Sequence, residues 1–318
     1  IANTTITFNN NDGVCTSGNN MKSALITTTG TSTDQSGSRS ISLCVGTRNL
    51  LKGGGPKQSM VSGASVGLTG SAQIINRYSD LNIWSASTTS IGSSSAMDTY
   101  IRPTSIEIED LTDEELISTT TTPSIPNVQK VSSNGLGAGT DVYMGDDRLA
   151  DAMTITNASS TKDGEGSFFD LFFAATKAEM AEMANSITPT QKLTGGSCLP
   201  DGKNGIIWVV GNERCTGGDI GTPPTFDGSG NITTAGVPAL LVVDGDLELT
   251  GGNIYGLLYV TGTLTVTGSP KIQGTMISEG SVSGTGTVTL VYTRNIGNGS
   301  DAPLKGTTSV ISGSWRDW

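Results

Sequence analysis

The feature that most restricts the fold of this chain is an internal repeat in its C-terminal third. Leu240-Leu241-Val242-Val243-Asp244-Gly245-Asp246-Leu247-Glu248-Leu249-Thr250-Gly251 aligns with Leu257-Leu258-Tyr259-Val260-Thr261-Gly262-Thr263-Leu264-Thr265-Val266-Thr267-Gly268, and a third copy starts at Thr275-Met276-Ile277-Ser278-Glu279-Gly280. Gly245, Gly262 and Gly280 thus recur at a near-constant step. In each copy a short apolar strand meets a glycine, a Leu-x-Leu or Leu-x-Val segment alternates, a second glycine turns the chain, and a lone Ile closes the unit. A unit this short cannot bury its own apolar side, whereas stacked copies bury one continuous column. A meander of hairpins explains the alternation but not glycines in phase. The expected fold class is mainly β: a short β-solenoid with three strands per coil, about 17 to 18 residues per coil, and one inserted amphipathic helix. Matching places in successive coils point Val243, Leu247, Leu249, Ile254, Val260, Leu264, Val266 and Ile272 inward, and leave Thr263 outside, where a charge is expected to be harmless.

Elsewhere the pattern is weaker. Gly205-Ile206-Ile207-Trp208-Val209-Val210-Gly211 reads as a preceding coil, interrupted by a loop that carries Cys215 and the Pro/Gly-rich stretch to Pro238. Leu68-Thr69-Gly70-Ser71-Ala72-Gln73-Ile74 reads like Val266-Thr267-Gly268-Ser269-Pro270-Lys271-Ile272, with further strands at 81–84 and 100–106. Between these regions Phe169, Phe172, Phe173, Thr176, Met180 and Met183 recur at helical spacing behind Ser167 as N-cap. The role expected of that helix is to seal the β core, with partner binding as the alternative. Residues 112–116 read as a second short helix and 118–126 as a linker. The division that follows is a β region with solenoid-like strands over 1–117, a linker and helical insertion over 118–200, and the solenoid over 201–318, the first and last forming one continuous domain as the alternative.

Composition agrees with many short strands: 43 Gly supply corners, while only 15% of residues are charged and 5% aromatic. Four cysteines fall into two local groups, Cys15 with Cys44 and Cys198 with Cys215, without CxxC spacing. Two disulfides are the simplest reading and imply an oxidising, extracellular or surface compartment; four buried free thiols are the alternative. The net charge of −11 is uneven, with five basic against two acidic groups in residues 1–60 and 13 against 27 thereafter. An acidic body repels phosphate backbones, so no general nucleic-acid binding is expected and any anion contact falls on Arg48, Lys52 and Lys57. No apolar stretch is long enough to span a bilayer, and the chain opens at Ile1 without a leader, which reads as a processed or cut N-terminus.

With no histidine in the sequence, Ser-His-Asp and Cys-His catalysis is excluded, and pairing the cysteines removes thiolate chemistry. Asp244, Asp246 and Glu248 are the nearest carboxylate group for glycoside cleavage, though alternation along a strand produces the same pattern on an ordinary solvated face. Asp227, Ser229 and Asn231 offer oxygens at alternate positions as calcium loops do, but the Gly at the sixth position and the closing Glu are missing. Asp141, Asp146, Asp147 and Asp151 form a second acidic group, and turns or helix caps account for both clusters. The chain is therefore expected not to be an enzyme and to need no cofactor, calcium being the one candidate.

Residues 240–256, the following Leu257-Leu258-Tyr259-Val260, Gln273-Gly274 and the terminal Gly313-Ser314-Trp315-Arg316-Asp317-Trp318 resemble the PilX-type minor pilins of type IV pili, as do Leu81-Asn82-Ile83-Trp84-Ser85 and Ile41-Ser42-Leu43-Cys44-Val45. The resemblance implies a low-abundance, extracellular pilus subunit that primes assembly or serves adhesion, aggregation or motility. Its implied partners are other pilin subunits, a tip adhesin and host or abiotic surfaces. Membrane contact would run only through an N-terminal hydrophobic helix, which this chain lacks. The alternatives are a secreted β-solenoid that binds or cleaves polysaccharide and a subunit of a DNA-uptake pilus.

Overall fold

The computed structural model of the chain describes residues 3–9, 23–32, 36–91, 97–121, 128–155, 166–187, 189–198, 200–294, 305–310 and 316–317. Strand outweighs helix by 41% to 15%, so the chain is mainly β. It divides into two compact units, Ile1–Leu50 with Lys305–Trp318, and Leu51–Leu304.

The smaller unit is an antiparallel sheet. Ser23–Thr31 pairs with Asn3–Asn9 on one side and Ser38–Asn49 on the other, and the last also receives Lys305–Val310 and Arg316–Asp317. Cross-strand hydroxyl pairs, Thr27 with Ser42 at 3.0 Å and Thr29 with Ser40 at 2.7 Å, stitch its central strands.

In the larger unit a 13-stranded and a five-stranded sheet enclose one apolar cluster. Ala239–Asp244 pairs in parallel with Asn253–Val260, that strand with Lys271–Ser278, and that with Thr289–Val291. The pairing keeps the step of the sequence repeat, setting Ala239 against Gly256, Asn253 against Lys271 and Lys271 against Thr289. The ladders then take up strands from the N-terminal part of the chain: Met60–Ser62 lies beside Met276–Ser278, Val66–Leu68 beside Val282–Gly284, and Gln73–Asn76 beside Thr289–Val291, all parallel. The eight residues expected to point inward are all buried in the shared cluster, none more than 4% exposed.

The 13-stranded sheet is covered on its outer side. Register aligns Trp208, Val242, Tyr259, Ile277, Val61 and Trp84 in one outward row. An apolar row on a sheet exterior requires a lid. Aromatic residues of the helical segment supply it: Phe169 and Phe173 stand edge-on to Tyr259 at 5.1 and 5.2 Å, and Phe172 meets Trp84 at 6.3 Å. Burial pushes the Tyr259 phenol well above its ordinary pKa, and its hydroxyl donates to Glu279 at 2.6 Å, where Lys177 also binds.

The single helix expected here is two helices. After α1 (Asp113–Ile117) and α2 (Asp147–Thr154) come α3 (Phe168–Phe172) and α4 (Lys177–Ser186). Ser167 caps α3 as expected, but Phe173 leaves the helical region and Thr176, with extended backbone, opens α4 through a capping box with Glu179. By spacing Thr176 belongs to an apolar face; a Thr-x-x-Glu motif is equally an N-terminus, and the cap wins. Thr112 likewise forms a capping box with Glu115 at the start of α1. Helix α2 is an addition to the elements expected from the sequence, and Asp146 caps it, its pKa drawn down to about 2 chiefly by the Arg148 guanidinium.

A second outward row, Tyr255, Gln273, Val291, Ile75 and Tyr100, lies beside the segment after α1. Gln273 donates to the Ile117 carbonyl at 3.0 Å, and fully buried Arg77 donates to the carbonyls of Ser118 at 2.7 Å and Thr120 at 3.1 Å. Burial brings the Arg77 guanidinium down to about 10. Residues 118–120 of the expected linker are thus clamped to the sheet.

Candidate functional site: the uncovered sheet face

The five-stranded sheet, ordered Glu213–Cys215, Leu247–Leu249, Leu264–Val266, Val282–Gly284 and Val66–Leu68, is parallel throughout. Because side chains alternate along a strand, each strand sends its first and third residues toward the core and its middle residue outward. The outward middle row is Arg214, Glu248, Thr265, Ser283 and Gly67. One flanking row is Asn212, Asp246, Thr263, Ser281 and Ser65, set by the bonds from Glu213 to the Asp246 carbonyl, Leu247 to Thr263, Leu264 to Ser281 and Val282 to Ser65, all 2.9 to 3.0 Å. The other is all threonine, Thr216, Thr250, Thr267, Thr285 and Thr69, whose N–H groups step from strand to strand in four bonds of 2.8 to 2.9 Å. All fifteen residues are exposed or half-buried. The face therefore presents short polar side chains on a rigid lattice, about 4.8 Å apart across strands.

Charge gathers at one end. There Gly196, Asn212, Glu213, Arg214, Asp246, Leu247, Glu248, Thr263 and Thr265 line a cavity of about 440 Å³. Arg214 Nε meets Glu248 Oε2 at 3.3 Å, and Asp246 Oδ1 accepts from the Thr263 N–H at 2.8 Å. Glu213 belongs to the inward row and is 3% exposed; its Oε1 accepts from the N–H groups of Cys198 at 2.6 Å and Arg214 at 3.0 Å, while its Oε2 has no partner among the described residues. For Thr263, expected to tolerate a charge, the contact with Asp246 makes an added carboxylate repulsive.

The Cys198–Cys215 disulfide ties the loop whose N–H binds Glu213 to the strand that carries Glu213. Cys198 is the one non-glycine among the described residues with positive φ, at 53°, so the bond and the Glu213 contact together hold a backbone geometry that a free loop would leave. A crosslink at a sequence separation of 17 is worth about 3 kcal/mol. Reduction, or Cys198→Ser, is therefore expected to lower Tm by several degrees in a thermal melt; an unchanged Tm would show that the loop is held by other contacts. Cys215 itself sits on the ladder beside Leu249 and not in an interrupting loop as expected. The interruption is confined to the following stretch, which holds the Thr225–Phe226 and Ile232–Thr234 hairpin, and Glu-Arg-Cys hides a strand whose two inward positions are not Leu or Val.

The other expected site residues are scattered. Cys15 lies outside the described residues, as does the Cys44 side chain. Lys52 is ion-paired with Asp170 at 2.6 Å, Lys57 is exposed, and of Arg48 only the strand is described. Asp227 Oδ1 accepts from the N–H groups of Ser229 at 2.8 Å and Asn231 at 3.0 Å, bonds that lower its pKa and make the loop a turn, with donors where a cation would need acceptors. Asp141 is buried, bonded to Ser132 and Asn82, whereas Asp146 caps α2. Of the carboxylates 244, 246 and 248, the last two line the cavity and Asp244 does not. The signal that sequence reasoning missed is the Thr-Gly pair at 216, 250, 267, 285 and 69, a fivefold recurrence in plain view once the three copies are extended to all five strands.

No protein-family model, no curated protein and no solved structure matches the chain.

Proposed function

We propose that the larger unit is a short β-solenoid of three strands per coil whose uncovered five-stranded face binds a ligand, and that the chain acts by binding and not by turnover. The ladders that keep the step of the repeat and the core shared by both sheets support the solenoid reading. The observation that carries the functional reading is the contrast between sides: helices and the segment after α1 cover the outer rows of the 13-stranded sheet, while the fifteen outward residues of the third side, ten of them Ser or Thr, remain accessible. The absence of histidine from the whole sequence supports binding over catalysis.

The resemblance to PilX-type minor pilins supports placing this face on a type IV pilus as an extracellular minor subunit. Deleting the gene is expected to reduce piliation, surface attachment or twitching motility. Complementation with a copy carrying Thr265→Lys, Thr267→Lys and Ser283→Lys is expected to restore pili without attachment, because the three sites face solvent and the lysines disturb only the contact surface. A deletion strain with normal pili, attachment and motility removes the pilin reading; full attachment with the triple variant removes the face.

A further inference from the structure

We infer that Asn134 is a self-modifying site, at which the chain converts its own side-chain amide to a carboxylate through attack by the Gly135 nitrogen. The sequence contains three Asn-Gly pairs, opened by Asn134, Asn204 and Asn298. Such a pair is reactive because glycine has no Cβ to keep its nitrogen away from the asparagine side chain. Asn298 lies outside the described residues, and the structure sets the other two apart.

Asn134 and Gly135 are exposed at the tip of the turn that follows Gln129–Ser132, the antiparallel strand paired with Asp98–Ile101. The tip is closed beneath them by the Gly137 N–H on the Ser133 carbonyl at 2.8 Å and the Ser133 N–H on the Gly137 carbonyl at 3.2 Å. The Leu136 N–H joins the same Ser133 carbonyl at 3.1 Å. Among the described residues neither the Gly135 N–H nor the Asn134 side-chain amide takes part in a hydrogen bond. Asn204 is exposed as well, but Gly205 opens the strand Gly205–Val210 and its N–H donates to the Pro238 carbonyl at 3.0 Å. That nitrogen can attack only when the end of the strand opens, whereas the Gly135 nitrogen is free in the folded chain.

In the reaction the Gly135 nitrogen gives its proton to solvent and bonds to Asn134 Cγ, the Cγ–Nδ2 bond breaks, and ammonia leaves with a proton taken from solvent. Water then opens the cyclic imide. Breaking the bond from the Gly135 nitrogen to Cγ leaves aspartate; breaking its bond to the Asn134 backbone carbonyl carbon leaves isoaspartate, with the chain running through Cγ. Either product adds one negative charge to the net −11 of the chain. Isoaspartate also inserts a methylene between Ser133 and Gly137, whose two mutual bonds close the tip.

The test is incubation of the folded, oxidised chain at mildly alkaline pH, where the glycine nitrogen loses its proton more readily, followed by peptide mapping with mass detection. The Asn134 peptide is expected to deamidate about tenfold faster than the Asn204 peptide, a ratio equal to about 1.4 kcal/mol. In concentrated urea, where both nitrogens are free, the two rates should converge. Gly135→Ala meets open space and a φ outside the left-handed range, so it should leave the thermal melt unchanged while slowing the loss at Asn134 about tenfold. Equal rates at the two sites in the folded chain overturn the inference, as does a faster rate at Asn204. So does a ratio that persists in urea, which would place the cause in the sequence, or a rate at Asn134 that ignores Gly135→Ala.

Discussion

Val260→Asp is expected to cost about 4 to 5 kcal/mol and to leave the larger unit largely unfolded at neutral pH, because it places a carboxylate with no partner inside the shared core. Val260 is 0% exposed and its neighbours in the ladder are Val243 on one strand and Ser278 on the next. Burial would raise the folded-state pKa of the new Asp above its unfolded value near 4, so the unfolded chain loses its proton first as pH rises. Stability then falls through that window by about 1.4 kcal/mol per pH unit, and the variant should be visibly more stable at pH 4 than at pH 7 relative to the parent. Ser269→Asp, at an exposed corner, should shift stability by no more than about 0.5 kcal/mol. Chemical denaturation of the three chains at both pH values is the measurement. Equal tolerance of the two substitutions would contradict the register of the stack.

Gly256→Ala carries the second large effect, about 3 kcal/mol or more, and it comes from the backbone instead of the core. Asn253–Val260 runs without a break through Gly256, whose φ is 149°, a conformation that side chains rarely adopt. Register sets Gly256 directly against Ala239, and an added Cβ would run into the Ala239 carbonyl oxygen and stand 2.7 Å from its nitrogen. Neither atom can yield, because both belong to the neighbouring strand. Gly228→Ala, in a loop with open space around it, is the comparison and should be neutral or slightly stabilising. A thermal melt separates them; a Gly256→Ala chain as stable as the parent would mean that the corner is free to shift.

Both predictions draw on parts of the chain whose repeat is overt, and the same holds for the eight inward residues. Their burial can be read from position alone because the repeat step returns each Leu or Val to the same place, and only a parallel stack makes such a return useful. Gly256 and its register partner Gly274 have an equally local reason, since the backbone there takes a path that side chains rarely adopt. Cys198 and Cys215 are near enough in sequence for their pairing to be inferred before any contact is known.

The break between α3 and α4 is written in Thr176 and Glu179, but a helical face and a capping box make competing claims on the same residue, and neighbouring aromatic contacts decide between them. Strand Glu213–Cys215 is hidden because its inward positions hold a carboxylate and a disulfide sulfur. Such residues are tolerated there only because the loop at Cys198 supplies an N–H and a second sulfur. The joining of residues 60–76 to strands far later in the chain is a contact between separately coherent segments, and nothing local specifies it. The candidate site belongs to this last kind. Thr69, Thr216, Thr250, Thr267 and Thr285 are inconspicuous in a Thr-rich chain, and Asp246 and Glu248 look like any solvated strand edge. They become a surface only when five strands from opposite ends of the sequence lie side by side and the helices cover other sides of the stack.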